Sequence, residues 1–151
     1  MKHCRLYAAL VLTLAAQLSD AQTPASSAQP SAADFAGKWT VTDVVSYSTI
    51  SSGIPGAKRI LGKVLTITPT HLNFGGQDCK PNEGFNVSEV DSAAKLKELY
   101  DVYPPDVGLP ARTTLLDSAN CAAVFRLRDN VVVFGWDGVM VRAIKEPGKG
   151  K

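Results

Sequence analysis

Histidine is nearly missing from this chain of 151 residues, which has 2. One of them, His3, lies in an N-terminal leader, so His71 stands alone and two-histidine metal motifs are excluded. A general base at His71 would need a partner within reach, and its neighbours in the turn after Pro69 supply none. It reads as a solvated turn residue. No stretch reaches the roughly 20 apolar residues that a membrane-crossing helix requires. Nucleophile elbow, phosphate-binding loop and dinucleotide fingerprint are all absent, and so are internal repeats. Charge of one sign is lacking too. With Lys2, Arg5 and Asp20 set aside, the 16 basic and 14 acidic residues stay within one of balance. Such a chain gives no reason to invoke nucleic acid or an anionic membrane. Acid catalysis by a carboxylate pair needs two converging acids. Asp43 is the one acid expected to face inward, and a hydrolase built on it lacks its second member. These absences leave a non-catalytic protein without cofactor or metal.

What is present centres on residues 121–144, which read as three antiparallel strands. Asp137-Gly138 sits between two apolar runs, and both residue types tolerate the positive φ that a two-residue hairpin turn demands. Asp129-Asn130 occupies the same position one strand earlier. Counting outward from the second turn pairs Trp136 with Val139, Phe134 with Val141 and Val132 with Ala143. Counting from the first pairs Leu127 with Val132, Phe125 with Phe134 and Ala123 with Trp136. Both counts place Phe125, Phe134 and Trp136 on one wholly apolar face. The opposite face carries Arg126, Arg128 and Arg142 among smaller apolar residues. One buried face and one partly solvated face is the expectation for an antiparallel sheet. The arginine row either keeps a sheet face soluble or docks an acidic partner.

Residues 1–21 read as a signal peptide, with Lys2 and Arg5 ahead of the apolar run 6–18 and small residues at Ser19-Asp20-Ala21. Of the 3 cysteines, Cys4 falls in that segment. Cys79 and Cys121 remain, and in an oxidising compartment they read as one disulfide, the alternative being two buried free thiols. Residues 22–34, rich in Ala, Ser, Gln and Pro, read as a flexible linker. A single domain is expected over 35–146, with a disordered tail at 147–151.

Within the domain, Trp39, Val41, Val45 and Tyr47 alternate with Thr40, Thr42, Val44 and Ser46 in a first strand, which puts Asp43 on the tryptophan face. Residues 47–62 form a loop with room for a helical turn at 57–61. Short strands are expected at 63–68, 72–74, 85–88 and 113–116. Residues 91–100 have helical spacing, with Asp91 or Ser92 as N-cap, and Pro104-Pro105 ends the helix. The fold class is mostly β, a seven- or eight-stranded antiparallel barrel with one inserted short helix, or alternatively a β-sandwich.

Gly37-Lys38-Trp39 at the start of the first strand, together with Arg142 in the last, resembles the lipocalin-like (calycin) group. The resemblance implies that Trp39 plugs one end of a barrel and that Arg142 packs across it. The same opening behind a leader, with one disulfide, resembles small bacterial proteinase inhibitors of calycin shape. The chain is therefore expected to be an exported, periplasmic or secreted binding protein. It would hold a small apolar ligand or dock on an exported protein partner; the alternative is an inhibitor or accessory protein of an exported protease or cell-wall enzyme. Candidate binding residues are Asp43, Tyr47, Arg126, Arg128 and Arg142, with Gly37, Trp39, Phe125, Phe134 and Trp136 as structural residues.

Overall fold

The structure is a computed structural model that describes residues 29–48, 51 and 53–148. The leader at 1–21, most of the expected linker and the last residues of the expected tail lie outside the described residues. The end of the linker segment does not: Ala32–Phe35 is a helical turn, α1. Ser31 and Asp34 close a capping box around it, which satisfies backbone donors at the start of the turn. Its last residue, Phe35, is fully buried.

Nine strands follow, β1 (Gly37–Tyr47), β2 (Val64–Ile67), β3 (Leu72–Phe74), β4 (Gln77–Cys79), β5 (Asn86–Asp91), β6 (Arg112–Asp117), β7 (Val124–Arg128), β8 (Val131–Trp136) and β9 (Val139–Lys145). Three more helices lie between them, α2 (Gly53–Ile60), α3 (Ser92–Tyr100) and α4 (Pro104–Val107). Among the described residues, the expected seven or eight strands and one helix become nine and four. The extra strand is β4, three residues with no apolar alternation that pair with β3. The extra helices include α4, whose prolines occupy the first helical positions, where a missing N–H costs nothing.

All strands belong to one antiparallel sheet, in the order β4-β3-β2-β1-β9-β8-β7-β6-β5. The ladder ends at β4 and β5 rather than closing, so the sheet is a curled half-barrel. The curl is visible in its contacts. Phe74 of β3 meets Phe134 of β8 edge-on, with centroids 5.1 Å apart, although three strands separate β3 from β8 in the ladder. The concave side holds Trp39, Leu65, Ile67, Phe74, Leu116, Val124, Phe134 and Val141, all buried. At the open side, the disulfide Cys79–Cys121 joins β4 to the turn entering β7.

The convex side is covered as well. Leu96 of α3 and Val107 of α4 pack with Leu115, Phe125, Val133 and Met140 into a second apolar cluster. The expectation of a partly solvated outer face is therefore corrected. A row of Val and Met among arginines is read as half exposed only while nothing covers it, and α3 with α4 covers it.

Bulges in β7 and β1 correct the face assignments. The β8–β9 register is as expected, with Phe134 opposite Val141 and Trp136 opposite Val139. In β7, however, the register shifts between Arg126 and Arg128, so that Val124 faces Phe134 and Phe125 faces Val133. Leu127 is the extra residue, and everything before it changes side. Phe125 is buried as expected, but in the convex cluster. Arg126 turns to the concave side and stacks on Phe35, its guanidinium carbon 4.4 Å from the ring centroid. Thr113 Oγ1 donates to the Arg126 carbonyl beside the bulge. In β1 the register shifts between Val41 and Asp43, which takes Asp43 off the tryptophan face and puts Val44 rather than Val45 against the concave core.

Trp39 is fully buried, and its Nε1 donates to the Phe35 carbonyl at 2.9 Å. The cation over its ring is Lys145, 5.1 Å from the centroid. Arg142 does not cross Trp39; it lies on the convex side, where a Cβ at Gly108 would be 3.5 Å from its Nη2.

Candidate functional site: a cleft at the disulfide end

A cleft of about 520 Å³ opens beside the disulfide. Five separate segments build it: Leu72 of β3, the edge strand β4, Tyr100 at the end of α3, residues 120–122 and the β8–β9 turn at 135–137. Each wall is held by identifiable forces. The turn is fixed by Asp137 and Gly138, at φ 48 and 75, the left-handed pair that such a hairpin requires. Asn120 ties the neighbouring loop down, donating from Nδ2 to the Lys80 carbonyl at 3.1 Å and accepting from the Asn82 N–H at 3.0 Å. The disulfide clamps β4 against residue 121.

Two aromatic side chains line the cleft. Trp136, half-buried, packs edge-on against Phe74 with centroids 4.9 Å apart. Tyr100 lies directly on Gly135: a Cβ there would stand 2.1 Å from its Cε1. Burial pushes the Tyr100 phenol above its ordinary pKa, with backbone groups of Gly135 and Ala123 offsetting this in part. The rest of the lining mixes Leu72, Ala122 and the disulfide with the carboxylates of Asp78 and Asp137 and the amides of Gln77 and Asn120. Asp78 also lies 3.9 Å from His71 Nε2, whose ring bonds Thr70 through Nδ1 at 2.8 Å. His71 thus has a cross-strand partner that its local sequence did not supply, on an exposed surface. An aromatic wall with carboxylates at its rim suits a cation or a flat polar group. Among the described residues, no group of three or more His, Cys, Asp or Glu could hold a metal ion.

The residues singled out from sequence do not converge here. Asp43 and Arg142 come together on the convex side, 3.8 Å apart. Arg126 is on the opposite face, with Nε and Nη2 buried and unpaired. Arg128 is exposed beside the first hairpin turn, and Tyr47, 46 % exposed, ends β1. Tyr100, Gly135, Asp78 and Asn120 were missed. One signal for them existed: a glycine inside the run 131–136 marks a close approach to a strand. Trp136 was expected to be purely structural, and it lines the cleft.

No protein-family model, no curated protein and no solved structure matches the chain. In the described residues no helix is long and apolar enough to cross a membrane.

Proposed function

We propose that the chain is a non-catalytic, exported binding protein of lipocalin-like shape that docks on a protein partner, receiving a cationic or flat polar side chain in the cleft beside the disulfide. The observation that carries this reading is the contrast between a filled concave core and an open cleft. Trp39, Phe74, Phe134 and Leu65 are at most 1 % exposed inside the curl. Small barrels that fill themselves in this way have no room for an enclosed lipid. The cleft, by contrast, has the size of a ligand site, two aromatic walls and a polar rim. Gly37-Lys38-Trp39 opening a central strand supports the calycin-like shape, and the disulfide supports an oxidising, periplasmic or extracellular location.

The test uses wild-type protein and a Gln77→Trp variant, whose new ring would fill the cleft from an exposed position. Both are used as bait in the extracytoplasmic fraction, and both are weighed by native mass spectrometry. The expected result is a partner retained by wild type and lost by the variant at unchanged melting temperature. Equal retention by the two proteins, or an apolar small molecule co-purifying with both, would refute the reading.

A further inference from the structure

The near balance of charge over the whole chain hides a local imbalance. Residues 44–77 contain no aspartate or glutamate, while carrying Lys58, Arg59 and Lys63. The two acids that bound this stretch are already engaged: Asp43 lies by Arg142 and Asp78 by His71. Among the described residues, none of the three cations has a carboxylate within 4.0 Å.

Helix α2 organises this surface. Its Gly56, Ala57 and Ile60 are buried, and Ala57 and Ile60 join the concave core. Gly62 and Lys63 hook the end of the helix onto β1, through Gly62 N–H to the Val41 carbonyl and Val41 N–H to the Lys63 carbonyl, both at 2.9 Å. The helix is thus fixed in rotation, and its other side must face out. That side carries Ile54 and Lys58, four apart on one helical stripe, with Arg59 beside them and Leu61 in the turn that follows the helix. Ile54 is 64 % exposed and Leu61 46 %, and Lys58 and Arg59 are exposed. A helix that already buries one apolar face has no folding reason to expose Ile54 as well, with Leu61 exposed just beyond its end.

We propose that the outer side of α2 and the turn after it, with Ile54 and Leu61 flanking Lys58 and Arg59 in a stretch of chain without acids, seats the protein on an anionic phospholipid bilayer. Apolar side chains dip into the interface while the cations meet headgroup phosphates, the composition of helices that lie on membranes. Lysine is depleted in the buried centre of protein–protein interfaces, which favours lipid over an acidic protein. A seat of this size is weak and reversible, since single anchoring signals are marginal. It would gather the protein at a membrane surface and leave the disulfide cleft free.

The experiment is co-sedimentation of the protein recovered from the exported fraction with two kinds of vesicle, phosphatidylcholine alone and phosphatidylcholine with about one-third phosphatidylglycerol. Binding to the anionic vesicles is expected, falling as salt shortens the range of the attraction. The double variant Lys58→Glu/Arg59→Glu should weaken it at least about tenfold, since each cation near such a surface counts separately. Ile54→Ser should weaken it severalfold, and Gln77→Trp should leave it unchanged. The proposal is overturned by failure to bind anionic vesicles, by equal binding to neutral ones or by full binding of the double variant. Binding to polyglutamate without binding to vesicles overturns it in favour of an acidic protein partner.

Discussion

Gly135→Ala tests the packing between helix and sheet at its tightest point. An alanine Cβ would meet Tyr100 Cε1 at 2.1 Å, Cζ at 2.6 Å and Cδ1 at 2.8 Å. Carbon atoms prefer 3.5–4.0 Å, roughly, so the ring must retreat by more than about 1 Å. It has little room to do so. Tyr100 is the last residue of α3 and packs edge-on toward Phe125 at 6.4 Å. Overpacking of this kind costs about 1–3 kcal/mol, and complete loss of an aromatic seat costs about 3–5. Gly135 has no left-handed φ, so alanine brings no backbone strain and recovers about 0.5–1 kcal/mol that glycine forfeits in a strand. The net expectation is a loss of about 2 kcal/mol by urea denaturation. In a Tyr100→Ala background the same change should be neutral or slightly stabilising, which gives a coupling of about 2–3 kcal/mol in the double-mutant cycle. A Gly135→Ala protein as stable as wild type, or a coupling within about 0.5 kcal/mol of zero, would refute the placement of Tyr100 on β8.

Three further expectations follow from the core, the staple and the phenol. Arg126→Met should be neutral or stabilising by about 1 kcal/mol, because it keeps the apolar contact with Phe35 while removing buried, unpaired guanidinium nitrogens; a loss above about 2 kcal/mol would mean that the guanidinium has a partner. Removing the disulfide, at a sequence separation of 42, should cost about 4 kcal/mol in the chain-entropy account and lower the melting temperature by on the order of 15 °C. Calorimetry with and without reductant checks this, and a shift below about 3 °C would count against it. The Tyr100 phenol has a raised pKa when folded, so the folded state holds its proton longer than the unfolded chain. Stability is unaffected below about pH 10 and falls as pH rises above it; Tyr100→Phe should flatten that alkaline decline.

The hairpins show what was legible in the sequence and what was not. Asp137-Gly138 could be read because two residues able to adopt positive φ sat between apolar runs, and the β8–β9 register followed from it. Asp129-Asn130 was an equally good turn, yet counting outward from it failed at Leu127. The rows of β7 alternate cleanly, Phe125 with Leu127 on one and Arg126 with Arg128 on the other, so a one-residue bulge that turns Arg126 inward runs against the pattern instead of showing in it. The bulge at Thr42 in β1 did leave a mark, an acid on the tryptophan row, and the shift moves Asp43 to Arg142. The cover over the convex face was legible only in part: the α3 periodicity was seen, but α4 is two prolines and two other residues. The cleft was illegible because its lining comes from positions as far apart as Leu72 and Asp137, which only the curl of the sheet brings together.

The neighbours of β1 in the ladder are β2 and β9, and Trp39 is hydrogen-bonded in register with Lys145. The middle of the sheet is therefore sewn from the first and last of the described strands. β1 can pair with β2 as soon as both have emerged, but its other partner, β9, is the last of the described strands to be made. Pairings this distant in sequence are slow to form, so joining β1 to β9 is expected to be the slow step of folding this sheet.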